Sequence, residues 1–270
     1  TPSELINATG VYTDAYGAPT CWIYNQFRRS HGKVNVVYAI KVSCNYYFYE
    51  VGFRLGGGRT TEYSSDRTLD IIRKYAAEFG LNEKSGLEVS ESAPRLSDTD
   101  GIRSSIGQGT HLFSVSQLAR YIGSVANGGT TYNLTMLDKL TDSAGNTIED
   151  YSASVYNNVD ISDDSWNAIR EGLHEVALDT KAFQELDLTV AGKTGTAQQS
   201  VRHPNHALFV GYAPYEEPKI AIAIRITNGY TSANAAAMAA DIFRYYFGLA
   251  DEEELLTGTA SEATTELIND

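Results

Sequence analysis

Apolar positions along this chain change their period twice. From Val34 to Leu55 a helical spacing runs through Val34, Val37, Ala39 and Ile40 and resumes at Tyr47, Phe48, Val51 and Leu55. Ser43-Cys44-Asn45 lies between the halves, and Ser and Asn side chains compete with a helix for its backbone hydrogen bonds. The stretch therefore predicts two short helices joined by a tight turn. Leu69, Ile72, Ala76 and Phe79 predict an amphipathic helix over 68–79, with Gly80 as its C-cap. After a turn at Gly107-Gln108-Gly109, Ser114 or Ser116 can cap a helix carrying Leu118, Ile122 and Val125, which Gly128-Gly129 ends. Residues 131–151 predict a hairpin around Asp142-Ser143-Ala144-Gly145-Asn146. Trp166, Ile169, Leu173 and Val176 mark another helix.

Beyond that point the period shortens. Leu188–Ala197, His206–Tyr212 and Lys219–Thr227 read as three strands separated by turn signals, Pro214 and Pro218 among them. An Ala-rich helix over 233–247, closed by Gly248, ends the pattern. Helices followed by successive strands predict an α+β domain, and the connections are too short for parallel crossovers, so the sheet is antiparallel. Residues 1–33 hold Tyr12, Tyr16, Trp22, Tyr24 and Phe27 at no sustained period and predict an irregular packed surface segment.

Composition sharpens this outline. The 270 residues, 42% hydrophobic, can bury one large core or two modest ones. Much of the net charge of −13 falls at the end: Asp251, Glu252, Glu253, Glu254, Glu262, Glu266 and Asp270 are acidic, and 251–270 holds no Lys or Arg. Residues 1–250 are read as the folded portion and 251–270 as a disordered, solvated acidic tail. No Lys/Arg cluster is dense enough for nucleic acid, and no apolar run approaches a membrane span. Cys21 and Cys44 are too few for a disulfide scaffold or a Cys-based metal site; they are read as single buried thiols, with pairing left open.

The chemistry concentrates in Lys193-Thr194-Gly195-Thr196. On an edge strand facing a cleft, Lys193 offers charge to an anionic group, Thr194 and Thr196 offer hydroxyls, and Gly195 lets a ligand approach closely. The same four residues also suit an ordinary strand. His203 and His206 have ligand-like spacing, but Pro204 breaks helical geometry and no carboxylate completes a set; no metal is expected, and His206 is read as orienting its strand. Glu62, Glu83, Glu88 and Glu91 are read as solvated loop charges, and Tyr46-Tyr47-Phe48-Tyr49 as core with one ring lining the cleft.

Order along the chain decides between the two readings of Lys193–Thr196. His31-Gly32, Ser43-Cys44-Asn45, Gly107-Gln108-Gly109, Ala126-Asn127-Gly128-Gly129, Ala191–Ala197 and His206–Pro214 follow one another in a sequence that resembles the transpeptidase domain of class B penicillin-binding proteins. The likeness covers about residues 20–248 and is closest to members of the elongation type from a Gram-positive-like lineage. It implies a penicillin-binding/β-lactamase-like fold with a helical subdomain, and a D,D-transpeptidase that cross-links peptidoglycan stem peptides ending in D-Ala-D-Ala by serine acyl transfer. It further implies that Ser43 relays a proton to the leaving amine, Asn45 holds the substrate amide and Lys193 polarises the relay. Thr194 and Thr196 would bind the carboxylate, which Lys193 also favours, with Gly195 a substrate-binding position between them and the Thr196 N–H in the oxyanion hole. Implied partners are β-lactams and a glycosyltransferase of the elongation machinery, with no cofactor; the implied location is the outer face of the cytoplasmic membrane, the parent protein being anchored by an N-terminal helix. The family's nucleophile belongs to a Ser-x-x-Lys on a helix well upstream of Ser-x-Asn. Here the single Ser-x-x-Lys is Ser30-His31-Gly32-Lys33, where Gly32 weakens a helix by roughly 1 kcal/mol. Ser30 is therefore read as a loop residue, not the nucleophile. The chain is expected to be an inactive fragment that exposes apolar surface and dimerises; the alternative is a non-catalytic muropeptide or β-lactam sensor of the same fold.

Overall fold

The computed structural model describes residues 1–197 and 203–256. It opens with strand β1 (Ile6–Ala8), helix α1 (Trp22–Phe27) and strand β2 (Gly32–Val34), which pairs antiparallel with β1. The first 33 residues are thus more ordered than their lack of period predicts. Three-residue strands are too short to display an alternation, and pairing across this distance leaves no local signal. Ser30 is exposed in the loop before β2, so Ser30 and Lys33 do not share a helical face.

Helices α2 (Val36–Lys41) and α3 (Asn45–Leu55) follow, split where the sequence places the turn. Asn35 caps α2 by accepting the Tyr38 amide, and Ser64 caps α4 (Ser65–Glu78) in the same way. A short helix, α5 (Gly101–Ser104), precedes α6 (Val115–Ala126), whose start is a full capping box between Ser114 and Gln117. Glu91 is not a solvated loop charge. Its carboxylate accepts from Ser85, Ser114 and Ser116, tying the long 80–113 segment to the α6 N-terminus. Glu88 likewise accepts from Thr135 and Met136.

The expected 131–151 hairpin is two antiparallel pairs. Strands β4 (Lys139–Thr141) and β5 (Thr147–Asp150) close around Asp142–Asn146, while β3 (Thr130–Asn133) pairs with β6 (Ser154–Asn158). β4 and β5 are exposed throughout, so no buried face marks their limits in the sequence.

Helices α7 (Asp163–Asp179) and α8 (Lys181–Gln184) lead into the sheet of β7 (Ala191–Ala197), β8 (His206–Ala213) and β9 (Ile220–Ile226), antiparallel in that order. Helix α9 (Ser232–Tyr246) covers one face. There Phe209, Phe243 and Ala235, Ala236, Ala239 and Ala240 are buried with Phe183; the small side chains let helix and sheet approach closely. The other face packs on α6 and α7 through Ile122, Val125, Trp166, Leu173, Ala191 and Tyr212. The acidic end is not coil from its start: Glu252–Leu255 form one helical turn, α10, capped by Asp251. The remaining members, Glu262, Glu266 and Asp270, lie outside the described residues.

Candidate active site

Ser43 and Lys193 stand 150 positions apart, and the Lys193 Nζ donates to Ser43 Oγ at 2.6 Å. Helix α7 joins them, because it packs against both α2 and β7. On the α2 side, a Cβ added at Gly172 would lie 2.9 Å from Ile40 Cβ, so glycine there permits the close crossing. Lys41 locks that crossing with Glu175 at 2.7 Å and Asp179 at 3.3 Å. On the β7 side, His174 Nδ1 lies 2.8 Å from the Val190 carbonyl, and its ring stacks on Tyr215 at 4.2 Å. Sequence reasoning missed α7's part. The stripe Gly172, Glu175, Asp179 at helical spacing is the signal that carried it.

The turn bearing Ser43 is strained. Ser43 has φ +50°, left-handed and costly for a residue with a Cβ by about 1–2 kcal/mol. It is held by the Ser43 amide donating to Ile40 O at 3.2 Å and the Cys44 amide donating to Ala39 O at 2.9 Å. Asn45 opens α3 directly after Cys44, which supplies no side-chain cap. Burial pushes the Tyr49 phenol up to about 12, and a hydrogen bond with the Asn45 side chain works the other way. Behind Asn45, the buried Glu50 accepts from Tyr12 at 2.7 Å, Arg54 at 2.6 Å and Arg59 at 2.6 Å. Burial alone would raise its pKa; the two guanidiniums and the phenol overturn that and hold it down at about 2.

β7 is an edge strand among the described strands, as the sequence reading requires. Its pleat places Lys193 and Gly195 on the α6/α7 side, opposite Val210 and Leu208, and Thr194 and Thr196 on the α9 side, opposite Phe209 and Ala207. The two threonine side chains therefore do not share Lys193's face, and a ligand along the open edge can meet both sets. The Thr194 carbonyl accepts from Lys193 Nζ at 3.1 Å, which turns it towards that edge. A strand residue's N–H and C=O point the same way and the pattern repeats after two residues, so the Thr196 N–H is directed to the same edge. The glycines divide by cause. A Cβ at Gly192 would meet the Phe209 ring at 2.4 Å, whereas at Gly195 the nearest atom is 3.5 Å away, ordinary contact. Packing dictates the first and leaves the second open. His206 is buried at the start of β8, where the Asn228 amide donates to its Nδ1 at 3.1 Å; burial, then Arg225, lower its pKa.

The two thiols are single and buried, as the sequence reading has them, and they lie together beside a histidine. Cys21 Sγ, Cys44 Sγ and a His31 ring nitrogen lie within 4.8 Å of one another, the one such group of three metal-competent donors among the described residues. Both cysteines are unbridged and buried. A hydrogen bond from Cys44, then one with His31, favours the Cys21 thiolate and lowers its pKa against burial; that same hydrogen bond and burial raise the Cys44 thiol.

An α+β domain that sets an edge-strand Lys-Thr-Gly against a Ser-x-Asn turn has the layout of the penicillin-binding folds. Within it, the chain belongs to the penicillin-binding protein transpeptidase domain family, whose model matches residues 1–246. It is 27% identical over 255 residues to the peptidoglycan D,D-transpeptidase MrdA of Acinetobacter baumannii, covering 81% of this chain and 35% of that protein. The chain thus spans about a third of the length of that curated relative. Pseudomonas aeruginosa PBP2, solved in complex with WCK 5153, aligns with TM-score 0.76 at 24% identity over 98% of this chain and 57% of that one. Penicillin-binding protein A of M. tuberculosis, solved as a ceftriaxone acyl-enzyme, aligns with TM-score 0.75 at 20% identity over 90% of this chain and 56% of that one.

Proposed function

We propose that this chain supplies two walls of a peptidoglycan D,D-transpeptidase site of the elongation type. The observation that carries the reading is the Lys193–Ser43 contact across 150 positions. With the Lys193 ammonium donating to its oxygen, the Ser43 hydroxyl is left to donate its own proton onward, the polarity needed to protonate a departing D-alanine amine. Lys193 adds positive charge for the terminal carboxylate, and Asn45 at the head of α3 holds the substrate amide. Thr194 and Thr196 approach the same carboxylate along the open edge of β7. The Thr196 N–H contributes to the oxyanion hole, an element worth about 3–4 kcal/mol in other acyl-transfer sites.

The attacking serine is proposed to belong to a segment of the parent protein beyond these residues, since Ser30 lies in a loop and is exposed. That parent acts at the outer face of the cytoplasmic membrane beside a glycosyltransferase; no helix among the described residues is long and apolar enough to cross the membrane. Incubation with benzylpenicillin followed by intact-mass measurement tests the assignment: the chain alone is expected to stay unmodified, and a stoichiometric adduct on Ser30 or Ser43 overturns it. A peptide ending in D-Ala-D-Ala should perturb the amides of 193–196, and Lys193→Ala should abolish the perturbation. The sensor reading is favoured instead if the full parent chain also stays unmodified.

A further inference from the structure

Cys21 and Cys44 meet at the heads of two helices, α1 and α3, next to the turn that carries Ser43. Neither thiol has a part in the acyl-transfer geometry. Their segments are tied together, because the Trp22 indole donates to the Val42 carbonyl at 3.0 Å, and the two sulfurs lie within 4.8 Å of each other. Both belong to one buried cluster with Ala39, Val34 and Tyr47. Cys21 Sγ lies 3.6 Å from His31 Nδ1, a base within reach of its proton. We propose that Cys21 and Cys44 are a thiol modification site: they close to a reversible intramolecular disulfide by exchange with a disulfide carrier.

The step balances as two exchanges. The Cys21 thiolate attacks one sulfur of the carrier's disulfide, forming a mixed disulfide and releasing one carrier thiolate. Cys44, deprotonated, then attacks Cys21 Sγ and displaces the second. Two protein thiols lose two electrons and two protons; the carrier disulfide takes both, His31 serving as the relay. Access comes through α1, a six-residue helix with no buried residue and no side-chain cap on Cys21, which lowers the cost of local opening. Closure would tie α1 to the residue directly after Ser43 and restrict the strained turn at Ser43. The proposal stands on this geometry and does not depend on which acyl transfer the parent performs.

The experiment uses the purified chain. It is equilibrated with glutathione disulfide or with reduced glutathione, quenched in acid, alkylated and mapped by mass spectrometry. The expected result is loss of two free thiols per chain, one peptide linking Cys21 to Cys44, and full reversal by dithiothreitol. Amide exchange over 42–47 should slow by at least about tenfold on oxidation. In Cys21→Ser no linked peptide forms, and Cys44 stays alkylatable or carries glutathione. Four results overturn the proposal: both thiols remaining alkylatable, a stable glutathione adduct on either native thiol, links only between chains, or a stoichiometric metal ion that keeps both thiols reduced until a chelator removes it.

Discussion

The two walls of the site are built by different physics. The β7–β9 wall is held by apolar packing on both faces, with Phe209 wholly buried under α9 and Tyr212 wholly buried under α6 and α7. The lobe that carries Ser43 and Asn45 adds a buried ionic knot to its own apolar clusters: Glu50 gathers Arg54, Arg59 and Tyr12, and the two arginines reach on to Glu4 and Asp14. A regular, dry wall places Lys193, while an ionic, strained lobe places its partner. A pair placed this way can be adjusted on one side with little disturbance of the other, since ion pairs respond to pH and to screening salt far more than apolar burial does.

The largest expected effect breaks the dry wall. Phe209→Ala removes a ring that touches Phe183 at a 5.2 Å centroid distance and leaves a cavity beneath α9. A loss of about 3–5 kcal/mol is expected by urea denaturation. A loss under about 1 kcal/mol would mean that α9 collapses onto the sheet and the wall is softer than its packing implies.

Next in size is the ionic lobe. Because Glu50's folded pKa, about 2, lies below its unfolded value, its contribution is complete above about pH 5 and fades as pH falls towards 2. The arginines are partly exposed, so the effect is about 1–2 kcal/mol, not the full conversion of the shift. Hydrogen exchange at pH 3 should show α3 opening before β8, and Glu50→Gln should remove most of the difference. Simultaneous opening of both would show the lobes to be one cooperative unit.

Gly192 and Gly195 sharpen the contrast inside a single strand. Gly192→Ala forces a methyl into Phe209 and should cost about 1–3 kcal/mol. Gly195→Ala should leave thermal stability within about 0.5 kcal/mol while weakening D-Ala-D-Ala peptide binding. Equal destabilisation by both would remove the case that Gly195 serves a ligand.

What could be read in advance follows the same division. Lys193–Thr196 was legible because its residue types form a motif and its neighbours follow in one order along the chain, although the strand is only half-buried from Lys193 onward. Ser43-Cys44-Asn45 was legible as an interruption of a helical period. The lobe's supports were not, because Tyr12 with Glu50 and Lys41 with Glu175 join residues 38 and 134 positions apart and no local spacing encodes such pairs. The same holds for Cys21 and Cys44, which lie close together although no local spacing links them. Glu91 misled for a related reason: a lone carboxylate in a polar loop looks solvated until three serines from two segments converge on it.

The smallest effect tests where the two regions touch. Ser43→Gly relieves a left-handed residue, a gain of about 1 kcal/mol or more, and is opposed by about 0.4–1 kcal/mol of extra freedom in the unfolded chain. The variant should therefore match the parent's stability to within about 0.5 kcal/mol although Lys193 has lost a 2.6 Å partner. Near-neutrality would mean that the contact is for chemistry and that α7 alone, through Gly172 and Lys41, holds the lobe in place. A loss above about 1 kcal/mol, read from the urea midpoint, would mean instead that the hydroxyl–ammonium bond is itself a clamp between the walls. The double variant Ser43→Gly, Lys193→Met separates these, since a clamp predicts a coupling of about 1 kcal/mol and a positioned proton relay predicts none in stability.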